Sequence, residues 1–458
     1  MANAMVGGTA NRGSVNSEEE KVSRLAFMTR ALQYPNYRLF FGGQIVSLLG
    51  SWMTQIATTW LVYRLTNSVF LLGAVAFAGQ IPAFLLSPIA GVWVDRLNKH
   101  KLLVITQVLA MIQSLMLAVL ALTGHINIWQ ILGLMAFQGL INAFDMPARQ
   151  AFVIEMIENK EDLSNAIALN SSMFNIARLL GPSIGGVVIA FVGEGWCFLI
   201  DGVSYIAVIA SLLMMNVAPH VPKPNLKKPL QDLKEGYKYA FGFAPIRALL
   251  ILMAAVSLVG MPYGVLMPVV AKQTLGGGAS TLGILMAASG CGALAAALVL
   301  AARKSVRGLG KLIPICTLGF AVALAIFSQV TVMWLAIPLL FLMGFGMMEQ
   351  NAACNTLLQT IVESDKRGRV MSIYTMAFMG MAPFGSLWAG ALADRIGPSP
   401  TLLISAFGSA LAGLWFASQY KGLREDVIPI YRKLGIIPEV AVGVDEAAEL
   451  SEATARVA

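Results

Sequence analysis

The stretch GVWVDRLNKHK (Gly91–Lys101) separates two long apolar runs, VFLLGAVAFAGQIPAFLLSPIAG (Val69–Gly91) and LLVITQVLAMIQSLMLAVLAL (Leu102–Leu122). Each run is about 20 residues long, the length of helix that crosses the hydrocarbon core of a bilayer. Five charged or titratable residues (Asp95, Arg96, Lys99, His100, Lys101) therefore crowd into one short turn of a chain that otherwise avoids charge. Over its 458 residues the chain is 57% hydrophobic and 12% charged, with a mean hydropathy of +0.73. A soluble domain carries roughly twice that charge, so this chain cannot cover itself with a water-compatible surface. Lipid admits only helices or closed barrels, and continuous apolarity without two-residue alternation selects helices.

The pattern repeats to give twelve spans, and the expected fold is an all-α membrane protein. Two six-helix bundles are expected, over residues 36–215 and 246–420. A Pro- and Lys-rich linker, 216–245, joins them, with an amphipathic helix expected from Leu230 to Phe243. Residues 1–35 read as a polar tail without an apolar signal core, so the first span is expected to act as an uncleaved insertion signal. Residues 421–458 form a second tail, acidic after Glu439 and expected to be partly disordered there.

Charge sets the orientation. With the N-terminus inside, the inner segments hold 28 of the 32 Lys and Arg residues; Arg64, Lys272 and Arg395 lie outside, and Arg178 lies within a span. Both termini are thus expected on the cytoplasmic side of a plasma (inner) membrane. The formal charge of +8 reads as topology charge near anionic headgroups, not as a nucleic-acid footprint. The four cysteines are scattered and read as small buried hydrophobes. No Walker sequence, metal cluster or nucleophile with a nearby base is present, so an ATP-driven pump, an enzyme, a cofactor and a metal are all disfavoured.

The halves echo each other. QAFVIEMIE (Gln150–Glu158) leads into GPSIGG (Gly181–Gly186), and NTLLQTIVE (Asn355–Glu363) leads into APFGS (Ala382–Ser386), at offsets of 205 and 201 residues. Repeated halves meeting at a seam are the architecture of transporters that alternate access around a midplane site.

The opening turn resembles the signature of the major facilitator superfamily, Gly-x-x-x-Asp-Arg followed by Gly and basic residues. Gly91, Asp95 and Arg96 match it, Lys99 and Lys101 fill the basic places, and Asn98 stands where the family has its second Gly, a substitution read as tolerating a left-handed backbone. The resemblance covers roughly residues 36–420 and implies a cytoplasmic gate. In it Asp95 caps the eleventh span, which begins near Arg369. Arg96 needs a carboxylate, for which Asp145 lies at matching depth, with Arg149 beside it. In the second half, Glu349 is the repeat mate of Asp145 to within one residue and is expected to pair with Arg303, Lys304 or Arg307. The alternative is that the turn only anchors topology. A second Gly-x-x-x-Asp-Arg, in GALADRIGP (Gly390–Pro398), falls outside and reads as a capped turn.

The fifth span carries ARLLGPSIGG, where Gly181, Pro182, Gly185 and Gly186 resemble the core of the antiporter motif that helps seal the outside; the alternative is an ordinary small-residue helix contact. Arg178 lies ~18 Å into this span, near the midplane. An arginine there needs a wet cavity or a partner, so it is read either as a site for an anionic substrate or proton exchange, or as a structural pair with Asp201. Asp201 is also the best proton-coupling candidate, and Gln55, Asn175 and Gln138 are further polar candidates along the pathway.

NYRLFFGGQIVSLLGSWM, FLIDGVSY and ARLLGPSIGG look most like the branch that contains enterobactin and macrolide exporters. That resemblance implies proton-driven efflux of a hydrophobic or amphipathic small molecule, by a protein expected to be a monomer. An uptake permease of the same fold is the alternative, and a non-transporting receptor or scaffold a distant one.

Overall fold

The computed structural model describes residues 29–217, 229–303, 305–363 and 366–433. Within the helices it does not describe the side chains at 87–89, 91, 92, 95, 160, 161, 164, 229–234 and 433. The expectations for the first 28 residues, the start of the linker, Lys304 and the acidic tail lie outside the described residues, as do those for Gly91 and the Asp95 side chain.

Among the described residues, twelve helices are long and apolar enough to span a membrane. They are α1 Pro35–Thr66, α2 Val69–Arg96, α3 Lys99–Leu122, α4 Ile128–Met156, α5 Lys160–Val192 and α6 Glu194–Leu213 in the first half. In the second half they are α7 Ala244–Thr274, α8 Ala279–Ala301, α9 Leu309–Phe327, α10 Met333–Ile361, α11 Arg367–Ile396 and α12 Pro398–Lys433. A linker helix, Pro229–Gly242, lies between the halves. Large apolar side chains on the perimeter, such as Phe191 at 85% and Trp129 at 77% exposure, have no protein cover; lipid is the solvent that accepts them.

Packing follows the repeat. In the first half α1 packs on α5 and α6, α3 on α4 and α6, and α2 on α4; in the second, α7 packs on α11 and α12, α9 on α10 and α12, and α8 on α10. Each pair maps onto its counterpart by adding six to the helix number. The two main contacts between halves, α2 with α11 and α5 with α8, are mates under the same rule. The architecture is thus two pseudo-symmetric bundles meeting along two equivalent seams, as the resemblance to the major facilitator superfamily implies.

Proline shapes the seam helices. Pro182 lies inside α5 and Pro383 inside α11. In α11 the lost donor coincides with a break at Gly380, and Ser257 Oγ of α7 donates to the Phe378 carbonyl just before it. The Asn98 expectation is corrected: its φ of −68° and ψ of 107° are extended, and its side chain accepts from the Lys101 amide as the N-cap of α3. Asn acts there through its side-chain carbonyl oxygen, not through a left-handed backbone. Among the cysteines, Cys197, Cys316 and Cys354 are buried as expected, whereas Cys291 is exposed.

Candidate functional site

The halves are joined at the face opposite the termini, here called the distal face. On the α5–α8 seam a Cβ added to Gly186 would lie 2.9 Å from the Gly283 Cα and 2.8 Å from the Ala279 carbonyl oxygen. On the α2–α11 seam a Cβ added to Gly390 would lie 3.1 Å from the Gly73 Cα and 2.8 Å from the Val69 carbonyl oxygen. Gly73 and Gly283 are 210 residues apart and Gly186 and Gly390 are 204 apart, so each seam is the repeat of the other. Gly181 and Gly185 face α1 instead: a Cβ on Gly185 would lie 2.7 Å from Ile56 Cγ2. Within the predicted motif, Gly186 therefore touches the other half, while Gly181 and Gly185 seat α5 in its own bundle.

Polar contacts close the same face. Gln273 Nε2, in the π-helical turn Val270–Thr274, donates to the Tyr63 hydroxyl at 2.7 Å, and Lys272 Nζ sits 5.4 Å from the Tyr63 ring centroid. Asp394, in the GALADRIGP copy, does not cap its own turn. Its Oδ1 accepts from Ser68 Oγ at 3.3 Å and from the backbone amides of Val69 at 3.1 Å and Phe70 at 3.5 Å. It thus caps the N-terminus of α2, in the other half, where a carboxylate meets the positive helix end. The capped turn expected from the sequence is a cross-bundle clasp, because α2 and α11 run antiparallel and place the end of one against the start of the other. Asp394→Ala is expected to shift the distal open-to-closed ratio by roughly two- to fivefold, the equivalent of about 0.3–1 kcal/mol for an exposed charge at a helix end. Spin-label distances across the distal face measure it, and Asp394→Asn, which still accepts hydrogen bonds, should sit nearer wild type.

The terminal face is different: among the described residues, every hydrogen bond between the halves lies on the distal face. The expected Arg96–Asp145 pair is not made. Asp145, buried at the inner end of α4, accepts from Thr106 Oγ1 and Gln107 Nε2 of α3 at 2.8 Å each, and from Arg149, which also bonds Gln44 of α1. Both oxygens are occupied inside one bundle, where donors four residues away and on adjacent helices outcompete a residue at the tip of α2. Arg96 is exposed, with no carboxylate within ion-pair distance among the described residues. Lys99 Nζ pairs with Glu155 at 2.6 Å, holding α3 to the end of α4. Arg369, at the expected start of the eleventh span, pairs at 2.8 Å with Glu235 of the linker helix. Asp145→Ala should lower the unfolding temperature in detergent, through a loss of about 1–3 kcal/mol as Thr106 and Gln107 lose a buried acceptor and the partly exposed Arg149 loses its partner.

The Arg178–Asp201 pair is also not formed. Asp201 is 2% exposed between α1, α3 and α6, accepting from Ser51 Oγ at 3.3 Å and Ser114 Oγ at 3.0 Å. A Cβ on Gly50 of α1 would lie 2.8 Å from its Oδ1, so the carboxylate faces the closest approach of α1 and α6, not α5. Arg178 is half-buried, with no carboxylate in ion-pair reach among the described residues, and its backbone carbonyl borders Gly290 of α8. Gln55 is exposed; Asn175 donates to the Ser171 carbonyl at 2.9 Å and Gln138 to Asn142 at 3.2 Å.

Glu349 departs most from expectation. It is 1% exposed on α10, and neither carboxyl oxygen has a hydrogen-bond partner among the described residues. Arg303 instead donates to the Arg307 carbonyl at 3.0 Å, acting on Glu349 only electrostatically from beyond ion-pair distance. The short turn after α8 satisfies its own carbonyl with the guanidinium first. The sequence signal for a buried carboxylate was present, a glutamate inside an apolar helix; that none of the described residues bonds it depends on how the helices pack around it.

A family profile described as transmembrane secretion effector matches residues 29–429. The staphyloferrin A transporter of Staphylococcus aureus is 28% identical over 365 residues, covering 79% of this chain and 90% of that one. The enterobactin exporter of Citrobacter koseri is 23% identical over 382 residues, covering 83% and 91%. Among solved structures, a bacterial homologue of the human lysosomal transporter Spinster, inward-facing and unoccupied, matches with a TM-score of 0.67 at 14% identity, over 86% of this chain and 98% of that one.

Proposed function

The chain belongs to the transmembrane secretion effector family of the major facilitator superfamily, and from that premise we propose that it exports a hydrophobic or amphipathic small molecule, drug- or siderophore-like, in exchange for protons. The observation that carries the reading is the asymmetry of the two faces: matched glycine seams and the Asp394 clasp seal one, and no hydrogen bond among the described residues joins the halves at the other. A molecule with these faces is one member of a pair of states, and substrate enters the present one from the terminal side. That side is assigned to the cytoplasm of an inner membrane because it carries 28 of the 32 Lys and Arg residues. Loading from the cytoplasm followed by opening of the distal face is export.

In this cycle Asp95 and Arg96 hold the terminal face when the distal face opens. The substrate path takes its polarity from Gln55, Gln138, Asn175 and Arg178, since an arginine at mid-depth is tolerated only beside water or a ligand. Direction is supported by the relative named as an enterobactin exporter. Proton coupling is assigned to Glu349 in preference to Asp201. Asp201 is held by two hydroxyl donors within one bundle, whereas Glu349 has no hydrogen-bond partner among the described residues in this state and is within electrostatic reach of Arg303, in the turn after α8, and of Cys316 on α9. A carboxyl group without donors in one state that gains a cation in the other is a place to load and release a proton.

The test is flux into inside-out vesicles carrying the protein, with drug and siderophore probes, with and without an imposed pH gradient. Accumulation that collapses with the gradient is expected. Uptake by right-side-out vesicles alone would assign an importer, and accumulation indifferent to the gradient would remove proton exchange.

A further inference from the structure

Neither the gate nor the transport path uses a cavity on the terminal face of the second bundle. It measures about 240 Å³ and lies between the start of α7, the first turn of α9 and the last turns of α12. Its rim carries Arg307, Lys311 and Arg424, and its wall carries Phe416, Tyr420 and Tyr431. The three cations are exposed and have no carboxylate in ion-pair reach among the described residues. Glu425 and Asp426 follow Arg424 directly, and residues one and two apart on a helix point to different faces.

The site is built by the chain. A Cβ on Gly310 would lie 2.8 Å from Tyr420 Cε2, so glycine at the start of α9 lets the ring lie against its backbone. Arg303 donates to the Arg307 carbonyl at 3.0 Å and fixes the turn from which Arg307 projects. Gly308, whose φ of 82° is left-handed, is the N-cap residue of α9 and offers no side-chain cap, so the positive end of that helix adds to the rim. The depth is also set: α12 has 36 residues, about 54 Å of helix, against roughly 30 Å of hydrocarbon. Its last turns therefore leave the hydrocarbon at headgroup level while Leu423 and Val427 stay buried against the bundle.

We infer that this cavity is a binding site for the phosphate headgroup of an anionic phospholipid. Convergent cations with an aromatic and aliphatic wall, opening at the membrane boundary, suit a phosphate that carries a glycerol and acyl chains. The charge complementarity selects anionic over zwitterionic lipid, and the apolar wall selects lipid over free phosphate.

The test is native mass spectrometry of the purified full chain titrated with phosphatidylglycerol or phosphatidylcholine, with inorganic phosphate as competitor. Wild type is expected to retain phosphatidylglycerol preferentially. Arg307→Gln/Lys311→Gln/Arg424→Gln should weaken that retention on the order of 100-fold. Arg38→Gln/Lys238→Gln/Arg367→Gln, which removes equal charge from the same face, should keep it. Arg424→Glu alone should act in the same direction should the triple variant fold poorly. Equal loss in both triple variants would reduce the site to diffuse charge and overturn the inference. So would displacement by inorganic phosphate, or lipid retention that emerges only after truncation beyond Lys433, which would make the acidic tail the occupant.

Discussion

Transport by the Glu349→Gln protein is expected to ignore a pH gradient. Glutamine keeps the size and neutrality of a protonated carboxyl but has no proton to release, so the variant should still exchange labelled for unlabelled substrate. Gradient-driven accumulation should fall by on the order of 100-fold, toward leak, since a pH gradient with no differential effect on the two states shifts neither. The measurements are counterflow and pH-driven flux on the same vesicles. Arg303→Gln, which removes the cation Glu349 is proposed to meet, should weaken the gradient response without touching the carboxyl. A full response in Glu349→Gln, with loss in Asp201→Asn, would move the coupling to the first bundle.

The second large effect is steric. Gly186→Ala places a methyl 2.9 Å from the Gly283 Cα and 2.8 Å from a backbone carbonyl, distances at which backbone must move. Overpacking of this kind costs about 1–3 kcal/mol, but only in the state where the seam is closed. The distal face should therefore open by roughly 5- to 150-fold relative to wild type, and Gly186→Leu should hold it open and stop transport. Gly390→Ala should behave alike, as the repeat mate on the other seam. Gly42, which has nothing within 4 Å of an added Cβ, supplies the silent control. Spin-label distances between α1 and α7 near Tyr63 and Gln273 report the shift; an unchanged distance with unchanged flux would show that the seam does not move in the cycle.

The relation between sequence and site is clearest at four residues. The Gly-x-x-x-Asp-Arg match at Gly390–Arg395 was visible, but whether Asp394 caps its own turn or a helix more than 320 residues earlier depends on antiparallel packing of α2 and α11. Gly186 belonged to a recognisable motif, yet its contact with Gly283 required the seam to be assembled. Asp145 lies at the expected depth, but in this state an i, i+4 arginine and two α3 donors occupy it, being nearer than the tip of α2. The pairing of Arg178 with Asp201 failed for a similar reason, since depth along a helix says nothing about the direction a residue faces around it.

The amino-acid sequence by itself determined twelve apolar helices, the side that keeps the cations, the internal repeat and the superfamily. Each of these is a one-dimensional property: hydrophobic length against bilayer thickness, charge against the membrane boundary, and similarity at a fixed offset. Tertiary structure alone decided which face is sealed, which glycines seal it, which carboxylate has no hydrogen-bond partner among the described residues and where cations converge on a cavity. Those outcomes depend on helix rotation and on competition among nearby donors, and packing sets both over distances of about 3 Å.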